Sequence, residues 1–258
     1  MTRLKSLLLV GVLLSGLASA QRLAVIGDWG AASPHRPKIA ASMRAAHEAK
    51  PFAAVVTLGD NFYPKGEPVQ AWVDELPKVR IYPTFGNHDV TALLPQFKLF
   101  GVDRTYYTVR LGDVELFVLY SEHFDVAQKA WLEAALGAST APWKVVTLHQ
   151  PLYSSGIHGG NRALRQAIEP LLTRYKVNLV LTGHDHDYER LTAKGITHIV
   201  SGGGGAYLRG FLITRPESEF RRETPNYLVL EVTPEQLTIT AYNEKNIQID
   251  QAVLKRAF

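Results

Sequence analysis

The chain of 258 residues contains no cysteine. A disulfide framework, a thiolate zinc site and a thiol nucleophile are excluded together, so rigidity must come from an apolar core or from a metal held by other ligands. Long apolar runs are nearly as scarce. The densest block, residues 7–17, is shorter than the roughly 20 residues needed to cross a bilayer, and no later stretch is longer. A large excess of one charge is also missing. Lys and Arg number 28 against 24 Asp and Glu, and the sequence pI near 9.2 makes no case for nucleic acid or an anionic membrane as partner. Twenty glycines and 14 prolines are too few for a low-complexity chain.

What remains is a globular composition. Hydrophobic residues make up 46% of the chain, enough to bury a core. Arg3 and Lys5 precede the apolar block, and Ala18-Ser19-Ala20 has the small-x-small pattern of a processing site. Residues 1–20 are therefore expected to be a cleaved secretory signal peptide, leaving residues 21–258 as a single domain without a stable membrane anchor. Removal of Arg3 and Lys5 leaves 26 of the 28 basic side chains against 24 acidic ones. The expected location is the periplasm or the extracellular space. No oligomeric state is specified.

Along the chain, short apolar runs end repeatedly in glycine followed by a hard polar residue. Residues 22–27 lead into Asp28, residues 53–58 into Gly59-Asp60, residues 81–85 into Gly86-Asn87-His88, and residues 177–182 into Gly183-His184-Asp185-His186. A fifth run, 143–148, ends at His149. Apolar, β-branched runs of this length read as buried strands, and open α/β sheets put their chemistry at the carboxyl ends of such strands. Amphipathic helices are expected around residues 39–50, 69–76, 126–136 and 161–175, with Pro170 kinking or restarting the last. Further strands are expected at 105–110, 114–120, 196–200, 227–232, 236–242 and 247–253. Helices alternating with strands, then mostly strands, predict an α/β fold.

Gathered at one sheet edge, Asp28, Asp60, Tyr63, Asn87, His88, His149, His184 and His186 form a mixed set of hard oxygen and imidazole donors, large enough for two metal ions. His184 and His186, two apart, face the same way in extended backbone. Taken singly, each residue has an ordinary explanation as a turn, cap or core residue. His35, His47 and His123 have no chemical reason to join the set.

The motifs GDWG at 27–30, GDNFY at 59–63, GNHD at 86–89, VVTLH at 145–149 and GHDH at 183–186 stand in the order found in the calcineurin-like metallophosphoesterases. Within that superfamily the chain resembles the purple acid phosphatases, because Tyr63 follows Asp60 by three residues, and among these the short tartrate-resistant form. The resemblance implies two stacked mixed β-sheets flanked by helices, a four-layer αββα sandwich with metals at the strand ends. It implies a first metal held by Asp28, Asp60, Tyr63 and His186, and a second held by Asp60, Asn87, His149 and His184. It further implies Fe3+ at the tyrosine site and Fe2+, Zn2+ or Mn2+ at the other.

By the same resemblance the activity is hydrolysis of a small phosphomonoester. A metal-activated hydroxide attacks phosphorus in line while His88 protonates the leaving oxygen and His158 faces the substrate. A general acid of this kind contributes roughly 10²- to 10⁴-fold. The alternatives are a phosphodiesterase acting on nucleotides or phospholipid head groups, and a non-catalytic phosphate- or metal-binding protein. The glycine run 202–205 is left out of the ligand set.

Overall fold

A computed structural model describes residues 21–256; the signal peptide expected at residues 1–20 lies outside the described residues. Two mixed sheets face each other. In the first, β1 (Gln21–Ile26), β2 (Ala54–Thr57) and β3 (Arg80–Tyr82) run parallel. The antiparallel strands β11 (Tyr227–Val232), β12 (Gln236–Tyr242) and β13 (Gln248–Lys255) extend the sheet from β1, in the order β13-β12-β11-β1-β2-β3.

The second sheet has a parallel centre of β5 (Val114–Val118), β6 (Trp143–Thr147), β7 (Leu179–Thr182) and β9 (Ile196–Ser201). Antiparallel strands close it on both sides: β4 (Tyr107–Leu111) against β5, then β8 (Tyr188–Ala193) and β10 (Ser218–Arg222) beyond β9.

Side-chain alternation explains the layering. Leu23 and Val25 of β1 enter the core between the sheets, which they share with Val56, Leu116, Val145, Leu181 and Leu230. Their neighbours Ala24 and Ile26 point the other way, onto α1 (Arg36–Ala49), α2 (Gln70–Val73) and α3 (Leu93–Phe100). Likewise Val146 and Val180 of the second sheet face α4 (Val126–Ala138) and α5 (Arg162–Arg174) through Leu132, Leu136, Ile168 and Leu172. Strands covered on both faces must be apolar at every position. Each fully buried aliphatic side chain contributes about 1.5–3 kcal/mol. The four-layer α/β sandwich expected from the sequence is the one observed.

The elements differ from the expectation in particulars. Helix α5 runs through Pro170 without restarting, because Leu164 and Ile168 before it and Leu171 and Leu172 after it are all buried on the sheet. Helix α3 is absent from the expectation although Leu93, Phe97 and Phe100 recur at helical spacing; Pro95 sits in its first turn, where a missing N–H costs nothing, and Gly101 closes it with φ 64°. Strand β8 pairs with β9 through the two-residue turn Lys194-Gly195, both at positive φ, and the sequence-based expectation omitted it along with β10. Asp125 and Asn161 cap α4 and α5 by accepting from Gln128 N and Leu164 N at 2.8 and 3.0 Å. No helix among the described residues is long and apolar enough to cross a membrane.

Candidate metal centre

The carboxyl ends of β1, β2 and β3 on one sheet and of β6 and β7 on the other meet at one edge. The link between them is explicit: Thr84 Oγ1 donates to Thr147 Oγ1 at 3.1 Å, and Gly183 N donates to His149 O at 3.1 Å. Immediately past these ends the backbone turns sharply. Asp28, Asp60 and His184 all lie in the left-handed region, at φ 53°, 51° and 72°. Non-glycine residues rarely stay there unless the surroundings enforce it, and such positions concentrate at functional sites.

All seven residues expected as ligands converge. Tyr63 Oη lies 2.9 Å from Asp60 Oδ2, 3.1 Å from Asp28 Oδ1 and 3.0 Å from His186 Nε2. On the other side of Asp60, Oδ1 is 3.4 Å from His149 Nε2. That nitrogen in turn lies 3.1 Å from Asn87 Oδ1 and 3.2 Å from His184 Nδ1. One carboxylate thus divides its two oxygens between two donor groups. Asp28, Asp60 and His149 also stand as a group whose ligand atoms lie within 4.8 Å of one another.

The imidazoles are fixed from behind. His149 Nδ1 meets the carbonyl of Leu58 at 2.9 Å and His186 Nδ1 meets that of Tyr207 at 2.8 Å. A carbonyl only accepts, so both Nδ1 atoms carry hydrogen and Nε2 is the atom turned inward, the arrangement that orients histidine toward a metal. Asp28, Asp60, His149 and His186 form a buried floor, while Asn87 and His158 are exposed and His88 half-buried at the mouth.

The match to the calcineurin-like phosphoesterase family runs over residues 21–188, about two thirds of the chain. The chain belongs to that family. Among relatives of this phosphoesterase, tartrate-resistant acid phosphatase type 5 of Oryctolagus cuniculus is 26% identical over 87% of this chain and 88% of its own length. Purple acid phosphatase 4 of Arabidopsis thaliana is 26% identical over 85% of this chain and 79% of its own. In structure, purple acid phosphatase PPD1 from yellow lupin superposes with a TM-score of 0.85 at 20% identity, over 93% of this chain and 54% of that one. GAP50, described as the anchor in the inner membrane complex of Plasmodium, superposes at 0.78 with 20% identity, over 93% of this chain and 90% of its own. Fold alone therefore does not fix what this phosphoesterase does, and the argument returns to its site.

The donor set fits a cation. Burial, and then Asp28 and Asp60, raise the pKa of the Tyr63 phenol, so without a cation its proton stays between two carboxylates. Burial would lower the pKa of His149, but the Asp60 carboxylate at its Nε2 outweighs this and pushes it up to about 10. Asp60 moves the opposite way: burial alone would raise its carboxyl, but His149 holds it below the ordinary range. Protons thus occupy the two places, one on each side of Asp60, where cations would neutralise the converging oxygens and lone pairs. Burial, with His149 and His158 beside it, lowers His184 to about 3, which leaves a neutral imidazole.

Several residues outside the expected set hold it in shape. Asp89, wholly buried, accepts from Gly86 N and Gln96 Nε2 at 2.8 Å and from Asn61 N and Phe62 N at 3.0 and 3.3 Å, clamping the two loops that carry Asp60 and Asn87. Asp185 Oδ1 accepts from His158 N at 2.8 Å. The glycine run also takes part: a Cβ on Gly202 would stand 2.8 Å from Asp28 Oδ2, and Gly204 N donates to Gly27 O at 3.0 Å. Arg209, at the edge of the mouth, went unnoticed in the sequence because no motif contains it. By contrast His35 pairs with Glu244, His47 accepts from Phe52 N, and His123 lies exposed beside Asp125. A cavity of about 410 Å³ lies at the other end of the second sheet, where β6, β7 and β9 begin, and contains none of the site residues.

Proposed function

We propose that the protein is a dinuclear metal-dependent phosphomonoester hydrolase of the acid phosphatase type. The observation that carries this reading is Asp60, whose Oδ2 lies 2.9 Å from Tyr63 Oη while its Oδ1 lies 3.4 Å from His149 Nε2. Asp28, Asp60, Tyr63 and His186 would hold one ion, and Asp60, Asn87, His149 and His184 the other. A phenolate among carboxylates is a hard anionic donor set, which favours Fe3+ at the first position, with Fe2+, Zn2+ or Mn2+ at the second. When bound, such a pair supplies Lewis acidity that polarises phosphoryl oxygens and makes hydroxide available near or below neutral pH.

The chain's own contribution is proton placement and orientation. His88 N donates to Asp60 Oδ1 at 2.9 Å, so the residue is tied by its main chain to the shared carboxylate. Its ring packs on Tyr63 with centroids 4.3 Å apart, and its Nδ1–H is taken by Pro64 O at 2.8 Å. Nε2 is left facing the mouth, 3.9 Å from Asp60 Oδ2. In the imidazolium form its proton is free for the departing alkoxide, which makes His88 the general acid. His158 stands across the mouth, its ring 4.4 Å from that of His184, and serves the substrate side. No protein nucleophile is required.

The leader pattern at residues 1–20 supports export to the periplasm or extracellular space. Metal analysis of the purified protein, joined to turnover of p-nitrophenyl phosphate and its bis-ester, tests the proposal. Two metal equivalents and faster monoester turnover are expected. A protein that binds metal but cleaves neither ester would be a binding protein on a phosphoesterase fold.

A further inference from the structure

Beside the metal centre, residues 206–209 are laced to the site by their main chain. Ala206 N donates to Asp28 O at 2.8 Å, Tyr207 O accepts from His186 Nδ1 at 2.8 Å, and Arg209 N donates to His186 O at 3.1 Å. Arg209 is therefore held as firmly as the ligands it adjoins, although it comes from a loop some 20 residues later in the chain. Its guanidinium Nη1 is hydrogen-bonded to His158 Nε2. Among the described residues it forms no ion pair with a carboxylate, unlike Arg36, Arg174, Arg190 and Arg215.

The chemistry of that contact is one-directional. A guanidinium only donates, so His158 Nε2 is the acceptor and has no hydrogen at that atom to offer a phosphate. What remains at this side of the mouth is a half-buried cation without a counter-ion and with further N–H groups unused.

We infer that Arg209 is a phosphate-binding residue that makes the site selective for phosphomonoesters, and that His158 acts through it as a positioning residue. This rests on the hydrolase reading above. A monoester presents three terminal oxygens and up to two negative charges; a diester presents two oxygens and one charge. A planar guanidinium grips terminal oxygens in pairs and gains most from the dianion. His158, stacked on His184 and tied through its N–H to Asp185, sets the direction of the fork.

The test uses metal-reconstituted full-length protein, with metal content measured in every variant. Arg209→Met is expected to weaken inorganic phosphate, measured by calorimetry, by about 10-fold or more. It should lower kcat/KM for p-nitrophenyl phosphate by about 10- to 100-fold and that for the bis-ester by less than about 3-fold. Arg209→Lys, which keeps the charge but not the fork, should fall between. His158→Ala should raise KM for the monoester more than it lowers kcat, and should add little to Arg209→Met in the double variant. Unchanged phosphate affinity, equal losses on both esters, or loss of metal from Arg209→Met would each overturn the assignment. Should the wild type cleave neither ester, the hydrolase reading falls, while the phosphate measurement still decides on Arg209.

Discussion

Gly86 lies directly against Asp60: a Cβ on Gly86 would stand 2.3 Å from Asp60 Oδ1 and 2.7 Å from its main-chain nitrogen. His149 Cδ2 would be 2.8 Å away. The glycine is thus required by the approach of two strand ends, and the shared carboxylate lies where a methyl group would be. Gly86→Ala should leave the fold intact by circular dichroism but displace Asp60. Metal content is expected to fall below two equivalents, with monoester turnover reduced by roughly 10²-fold or more, as for other 1 Å displacements in an active site. Full metal content with full activity would mean that Asp60 does not have to sit where it is.

Tyr63 Oη touches both aspartates and His186, but nothing else in the site depends on its hydroxyl. Tyr63→Phe therefore removes one donor with little change of shape. In protein loaded with ferric iron, the visible tyrosinate-to-iron band should vanish while Asp28, Asp60 and His186 retain some iron. Absorbance together with iron analysis checks this; a band that survives in the substituted, iron-loaded protein rules Tyr63 out as a ligand.

For His88 the expected effect is on turnover rather than on metal. The side chain meets Pro64 O and Tyr63 and keeps 3.9 Å from Asp60, so His88→Ala should retain both metal equivalents and lower kcat by roughly 10²- to 10⁴-fold. The loss should be greatest for alkyl phosphates, whose leaving oxygen most needs a proton, and least for p-nitrophenyl phosphate. Equal losses across leaving groups, or stripped metal, would assign His88 a different role.

The converging set was legible in the sequence because each member follows an apolar strand directly or within a few residues, all but His149 also following a glycine, so local pattern and tertiary position coincide. The α/β class was legible for the same reason, since strands buried on both faces are apolar nearly throughout, whereas the four-layer stacking was implied by the family resemblance and not by periodicity. What the sequence did not yield is what depends on contacts distant in the chain. Asp89 stands inside a quoted motif, yet its role as a clasp between the 60–62 and 86–89 loops exists only once β2 and β3 pair. Arg209 reaches the site from a loop without periodicity or motif, placed there by hydrogen bonds to Asp28 and His186. Strand β8 begins two residues after His186, so its polar start read as loop although Tyr188 and Glu189 are buried.

His198 offers a test away from the metals. It lies on β9 with 3% exposure, its ring edge-on to Tyr153 at 5.1 Å, and its Nε2 has no hydrogen-bond partner. Tyr153 is itself flanked by the guanidinium groups of Arg165 and Arg215, 4.7 and 5.1 Å from its ring. Burial outweighs the nearby Glu217 carboxylate, which favours a proton on the ring. Burial lowers its pKa from 6.5 to about 4. The unfolded chain then takes up a proton near pH 6.5 that the native state refuses until about pH 4. The stability due to the neutral ring is therefore complete above about pH 6.5 and is lost as pH falls toward 4, a total of about 3 kcal/mol. His198→Leu removes the titration while keeping the site apolar. Urea midpoints measured between pH 7 and 4.5 should decline less steeply in the variant than in the wild type, and parallel declines would show that His198 is protonated equally in both states. This residue is a built-in cost as pH falls, and its replacement should extend the pH range over which the fold survives without touching the metal centre.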